Sequence, residues 1–423
     1  MDHDRRILLG ALGGLAAARV IGLTDDTRGM LSPRVGLPDA GAPFPRREDF
    51  ALAPELTYLN AAYTHPIPRV AMDAARQAAE RRSAVVAVPA GTPTPRTLFA
   101  QLVHAKPTEI AYVSSTSEGE NLVVRALGLD HRRDGNVVTD GLHFEGALMH
   151  LDALRRTGLD VRVARATPDA RVALQDLERL IDRKTRLVEV SATAMYNGFQ
   201  HDLKAVANLA HAHGALVYAD IVHAAGTEPL DLAATGVDFA SCSSFKWLMG
   251  DFGLGFLYAR ESAWDRIVRP VVGYYQATDI TQAFPPSAPS GSAMPLHYEF
   301  QHSAAGFFET GSLTGSVGTN VALVASSLAY IQALGVDRIQ AHRMPLIARL
   351  RSELPRAGFS CVTPTHATSA LVTFTRKGLA ASDAPKRLAA ASINVRIADD
   401  WMRISPSVYN SMADVDRLIE ALA

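Results

Sequence analysis

Lys246 stands between two aromatic residues in the run Ser243-Ser244-Phe245-Lys246-Trp247-Leu248-Met249-Gly250, followed by Gly253-Leu254-Gly255-Phe256. Such apolar company desolvates the side chain, disfavours its ammonium form and frees an amine able to condense with an aldehyde. Taken alone, the same pattern also describes a lysine that snorkels from the end of an apolar element. Asp220 changes the balance, because Tyr218-Ala219-Asp220-Ile221-Val222-His223 places an acid just past a buried strand, upstream of the lysine. A carboxylate there is costly unless a cation meets it. A protonated pyridine nitrogen is such a cation, and holding that proton makes the ring an electron sink for a carbanion. A helix N-cap is the competing role for Asp220. His223 could reach a phenolate oxygen on such a ring or fill the core.

The run Ser114-Ser115-Thr116-Ser117-Glu118-Gly119-Glu120-Asn121 sets hydroxyls between a strand and a helix start. Backbone N–H groups and side chains there can hold a phosphate, helped by the helix dipole. Ser115 with Glu118, or Ser117 with Glu120, fits a capping box equally well.

These residues need a frame, and the chain supplies an alternation. Helices are predicted over Val70 to Arg82, from Glu118, over Gly146 to Arg156, Leu174 to Ile181 and Leu203 to His213. Strands are predicted at Ile110 to Val113, Val137-Val138, Val161 to Val163, Leu187 to Val190 and Leu216 to Ala219. This order implies an α/β fold, a mostly parallel sheet sandwiched by helices, whose ligands gather at the carboxyl ends of its strands. The proline-rich stretch Gln276 to Gly306 reads as a long loop. Helices over Asn320 to Ala333, Ile339 to Leu354, Ala384 to Ala391 and from Met412, with strands at Ala370 to Phe374 and near Val395 and Met402, suggest a smaller α+β C-terminal domain.

The 423 residues carry 42 basic and 43 acidic side chains, a balance that offers no footprint for nucleic acid or anionic lipid. A small molecule is the expected partner. Cys242 and Cys361 lie far apart in apolar contexts, so neither a disulfide framework nor a metal site is expected. Arg5-Arg6 precedes the apolar run Ile7 to Ala18, too short for a stable transmembrane helix, and Ala16-Ala17-Ala18 offers a cleavage site. Residues 1–23 thus resemble a twin-arginine export signal, implying a periplasmic enzyme. A frayed basic start on a cytoplasmic protein is the alternative. Residues 24–57 read as an arm or linker.

In this order the motifs resemble the class V aminotransferases, a fold-type I pyridoxal-5′-phosphate (PLP) family that includes cysteine desulfurases, selenocysteine lyases and isopenicillin N epimerases. Tyr58-Leu59-Asn60-Ala61-Ala62, Phe308-Glu309-Thr310-Gly311-Ser312 and Met402-Arg403-Ile404-Ser405 resemble three further family motifs, and the likeness runs from about Phe50 onward. It implies a large PLP-binding domain over 58–318, a small domain over 319–423 and a homodimer. Lys246 would hold PLP as a Schiff base and shuttle protons at the α-carbon of an amino acid or aminoacyl substrate. Asp220 would pair with the ring nitrogen, with His223 beside it. Thr116, Ser117 and Ser243 would hold the phosphate, joined by Ser312 of a neighbouring subunit. Phe144 would stack on the ring, with His143 as competitor. Arg403 would grip the substrate carboxylate, near Asn60. Phe245 stands where relatives have histidine, and Met195 where many have asparagine. The interval Ser392 to Met402 lacks the mobile cysteine of desulfurases. On that ground transamination is expected first, elimination or epimerisation next, and a persulfide-forming desulfurase is excluded. A catalytically silent PLP-fold binding protein is the reading from another class.

Overall fold

The computed structural model describes residues 36–282, 296–311 and 318–423. Its strands in chain order are β1 (Thr57–Tyr58), β2 (Ile110–Val113), β3 (Asn136–Asp140), β4 (Asp160–Ala164), β5 (Thr185–Ser191), β6 (Leu216–Asp220), β7 (Phe239–Ser243) and β8 (Gly255–Ala259). They continue as β9 (Ala277–Gln282), β10 (Leu296–Phe300), β11 (Ser360–Cys361), β12 (Val372–Thr375), β13 (Ile393–Asn394), β14 (Arg396–Ala398) and β15 (Trp401–Ile404).

The central sheet has seven strands in the order β2-β8-β7-β6-β5-β3-β4. Neighbours from β7 through β6, β5 and β3 to β4 are parallel, and β8 alone runs against both of its partners, β2 and β7. Residues of β2, β3, β6, β7 and β8 are buried throughout. This is why these segments read as continuous apolar runs rather than alternating ones: helices cover both faces. On one face the helix Thr116–Ala126 lies so close to β7 that a Cβ on Gly119 would come within 2.7 Å of the Ser241 Cβ.

Most predicted elements are present, with shifted ends. The helix expected from Glu118 starts at Thr116 because Ser115 is its cap, accepting from the Glu118 N–H at 3.1 Å. Two differences are larger. The stretch expected as one long loop contains the antiparallel pair β9–β10 and the helix Ala304–Phe308. Its prolines at 285, 286, 289 and 295 all fall outside the described residues between those strands, and they hid the strand pattern on either side.

The helix Thr319–Leu334, assigned from sequence to the small domain, packs Leu323, Val324 and Leu328 into the core of the central sheet. Gly335, at φ +80°, then turns the chain by 73° into the helix Val336–Glu353. Only there does the C-terminal core begin, around the sheet β11-β12-β15-β14. β1 joins it by pairing with β13, and Asn60 bridges to Ser405. Among the described residues no single helix is long and apolar enough to cross a membrane.

Candidate active site

Parallel strands aim their carboxyl ends at one edge, and the sequence puts reactive groups there. A cavity of about 140 Å³ on that edge is lined by Ser115, Thr116, Ser117, Phe144, Ser191, Met195, Asp220, Val222, His223, Ser243, Phe245 and Lys246. Seven residues named from sequence (Thr116, Ser117, Phe144, Asp220, His223, Ser243 and Lys246) therefore meet in one place. Asn60 and Arg403 stand outside that lining, and Ser312 lies outside the described residues.

Lys246 is held by the tight turn after β7. Met249 N–H donates to the Lys246 carbonyl at 2.9 Å and Gly250 N–H to the Ser244 carbonyl at 2.8 Å. Buried Met249 takes a left-handed φ of 55°, a strain that the surrounding packing must sustain. Burial lowers the Lys246 amine to about 8, against the attraction of Asp220, and Arg403 pushes the same way as burial. Its Nζ lies 3.2 Å from His223 Nε2 and 5.8 Å from the centre of the Phe144 ring. Burial holds His223 far below its usual range, so its ring is neutral.

Asp220 ends β6, accepting from Val222 N–H at 2.9 Å. Burial pushes its carboxyl up, opposed by His143, that N–H and Lys246. His143 is fully buried, with Nδ1 2.8 Å from Ser191 Oγ, while its Nε2 has no protein partner. Phe144, one residue on, faces the cavity instead. The turn that presents both is fixed by Asp140, which accepts from Leu142 N–H at 2.7 Å and lies 3.0 Å from His201 Nε2.

Ser243, at the end of β7, binds the start of the helix Thr116–Ala126: its Oγ accepts from Thr116 N–H at 2.8 Å, and its own N–H donates to Thr116 Oγ1 at 3.0 Å. Two strand ends and a helix N-terminus thus converge into one polar cradle. Beyond the rim, Arg403 on β15 donates from Nη1 to the Met195 carbonyl at 2.9 Å, and its Nε has no partner. Burial, then Arg396, lowers its guanidinium to about 10. Asn60 donates to Asn394 Oδ1 at 3.1 Å and leaves its own Oδ1 unpartnered.

A buried acid, a desolvated amine, an aromatic wall and a hydroxyl-lined helix start fit an aromatic aldehyde that carries a ring nitrogen and a phosphate. The match to the Aminotransferase class-V family model covers residues 74–418. The chain belongs to the class V aminotransferase family. It is a PLP-dependent enzyme, which removes the catalytically silent reading.

Among the relatives of this class V enzyme is a probable cysteine desulfurase of Methanothermobacter thermautotrophicus, 27% identical over 317 residues, covering 72% of this chain and 74% of that one. A cysteine desulfurase of Escherichia coli is 26% identical over 329 residues, covering 74% of this chain and 77% of its own. Solved structures of the same fold include the apo cysteine desulfurase of Thermococcus onnurineus NA1, with a TM-score of 0.75 at 23% identity, covering 90% of this chain and 98% of that one. The cystine C-S lyase C-DES in complex with its product cysteine persulfide gives a TM-score of 0.73 at 20% identity, covering 87% and 97%.

These relatives overturn the expectation that transamination comes first and that a persulfide-forming desulfurase is excluded. The exclusion rested on one missing thiol between Ser392 and Met402. The position of an acceptor thiol says where sulfur goes after release and is silent on whether the α-carbon chemistry releases it.

Sequence reasoning missed Ser191 as a lining residue. Ser191 closes β5, so the strand-end rule that found Asp220 could have found it too.

Proposed function

We propose that this class V enzyme is a PLP-dependent carbon–sulfur lyase related to the cysteine desulfurases, acting on cysteine or its disulfide. The desulfurase relatives support the reaction class. The observation that carries the chemistry is the desolvated Lys246 amine, 3.2 Å from a neutral His223 at the mouth of Asp220's pocket.

Bound in this cavity, PLP supplies an electron sink for the pair left on a substrate's α-carbon when its proton departs. Lys246, poised near neutrality, would take that proton; as the α-carbon pair forms a double bond to the β-carbon, the carbon–sulfur bond would break and sulfur leave with its electron pair, as sulfide from cysteine or persulfide from cystine. Asp220 keeps the ring nitrogen protonated, and in return gains the cation that offsets its burial. His223 presents a hydrogen bond to the ring's phenolate side, and Phe144 covers a face of the ring against water. Thr116, Ser117 and Ser243 hold the phosphate. Arg403 receives the substrate carboxylate with its planar fork, and Asn60 flanks it. Cys242 is buried, its thiol pushed up by that burial, and unsuited to act as a sulfur acceptor. With a disulfide substrate no acceptor on the chain is required, since the departing sulfur already carries a second one.

A homodimer is part of this reading. Ile280, Leu296 and Tyr298 of the β9–β10 ribbon, with Val272 and Tyr274 beside it, are exposed apolar groups of the kind a second copy covers. Ser312 would then serve the neighbouring site. Arg5-Arg6 and the following apolar run support export, and changing both arginines to lysine should retain the protein in the cytoplasm on fractionation.

The decisive assay supplies L-cysteine or L-cystine to the loaded enzyme and measures sulfide, cyanolysable sulfur and the matching carbon product. Sulfide from cysteine, or cysteine persulfide from cystine, released in step with pyruvate and ammonia is expected. Transfer of the amino group to a keto acid, faster than any sulfur release, would overturn the proposal.

A further inference from the structure

Lys246 and Trp247 are consecutive, yet their side chains reach the two different nitrogens of one imidazole. Lys246 Nζ lies 3.2 Å from His223 Nε2, and the indole N–H of Trp247 donates to His223 Nδ1 at 3.2 Å. An indole nitrogen can only donate, so Nδ1 must offer its lone pair. A neutral imidazole holds one proton, which leaves Nε2 as the N–H.

We propose that Trp247 is a positioning residue that fixes His223 in the Nε2–H tautomer, so that Lys246 faces a donor and loses its proton at lower pH than it otherwise would. The proposal rests on Lys246 being the cofactor lysine. A free amine accepts the Nε2–H bond through its lone pair. An ammonium would set donor against donor at hydrogen-bonding distance. The opposite tautomer would turn Nε2 into an acceptor and stabilise the ammonium, unable to attack an aldehyde.

The packing around Trp247 is that of a fixed donor. The side chain is 2% exposed and clusters with Ala61, Ala62, Ala370 and Leu371, which pack it from the C-terminal side. The Arg343 guanidinium lies over its ring, 6.0 Å from the centroid, and anchors the next turn by donating to the Thr227 carbonyl at 3.0 Å. Thr227 Oγ1 in turn donates to the His223 carbonyl at 3.1 Å. At Gly226, φ +83°, a Cβ would come within 2.9 Å of the Trp247 carbonyl oxygen, so only glycine lets the histidine turn approach this closely. A core tryptophan needs none of this alignment to fill space.

The charged groups that act on the pair are Asp220, Arg403 and Cys242 at Lys246, and Lys246 and Arg403 at His223. None of them is altered by Trp247→Phe, which keeps a ring and removes the N–H. In the full-length chain stripped of cofactor, the pH midpoint for acylation of Lys246, read by mass spectrometry, should rise in W247F by about one pH unit. In the loaded enzyme the pH midpoint of the cofactor's visible absorbance should move as well. Nitrogen-15 spectra of the wild-type histidines should show His223 with a bare Nδ1 and a protonated Nε2. An unshifted midpoint in folded W247F overturns the proposal. A protonated Nδ1 in the wild type does so too, even should W247F fail to fold. Borohydride reduction of the loaded wild type separates the two readings: fixation away from Lys246 sinks the site assignment, and fixation on Lys246 with no midpoint shift sinks the tautomer alone.

Discussion

The two edges of the central sheet treat buried polar groups in opposite ways. At the amino-end edge Asp238, Glu109, Asn136 and Thr185 all have protein partners. Asp238, just before β7, accepts from Val217 N–H at 2.8 Å and lies 2.9 Å from His211 Nε2. Glu109, before β2, accepts from the N–H groups of Lys106 at 3.1 Å and Glu261 at 3.0 Å. Asn136 and Thr185 bond each other across β3 and β5 at 2.8 Å. At the carboxyl-end edge Asp220 is pushed up by burial, His143 Nε2 has no partner, and Lys246 is stripped of solvent. Burying polar groups with so little company is destabilising unless a ligand completes them. The contrast assigns one edge to holding the fold and the other to holding a cofactor.

That assignment breaks first at its centre. Lys246→Ala should lower turnover by at least roughly 10³-fold, because one side chain serves both as nucleophile and as proton carrier. Borohydride should then fix no cofactor on the chain. A variant with more than a tenth of wild-type sulfur release would show that this edge is not the reactive one.

Next come two matched aspartates. Asp220→Asn should cut turnover roughly 10²- to 10³-fold, since a neutral amide cannot keep a ring nitrogen protonated, and should leave urea stability equal or higher. Asp238→Asn should do the reverse. Val217 N–H and His211 Nε2 both meet one oxygen of Asp238, so the amide oxygen keeps their geometry but loses the charge, at a cost of about 1 kcal/mol, while kcat/KM stays within a factor of two. Equal effects of the pair on both readouts would erase the distinction between the edges.

Much of this was legible beforehand, and the reason is periodicity. Strands buried on both faces gave unbroken apolar runs from Ile110 to Ala219, so the sheet and its carboxyl edge followed, and with them Asp220; Lys246 came from its aromatic neighbours and Ser243 from the family resemblance. What stayed hidden depends on contacts distant in sequence. Leu323 and Leu328 look alike whether their helix joins the central sheet or the C-terminal unit, and packing alone decides for the former. Nothing local distinguishes His143 from Phe144, since adjacent residues at a helix start point to opposite sides of the turn; Ser191, on another strand, claims the histidine. The exclusion of a desulfurase was mistaken because an acceptor thiol was treated as a requirement of bond cleavage.

The smallest effect tests the comparison without any catalysis. In the cofactor-free chain the Lys246 amine titrates near 8 when folded, against an ordinary value of 10.5. The unfolded chain thus binds this proton more tightly than the folded one, so the lysine destabilises the fold, most fully below about pH 8, where both states carry the charge. The penalty shrinks as pH rises from there and is gone above about 10.5, where both states are neutral. Lys246→Met should therefore be more stable than the wild type at pH 7 by roughly 2 kcal/mol, with the difference closing as pH approaches the ordinary lysine value. A gain independent of pH would mean that packing of the methionine, and not relief of a buried charge, produced it. No gain at all would mean that the amine is already solvated in the empty cavity, and the carboxyl edge would then carry no electrostatic strain for a cofactor to relieve.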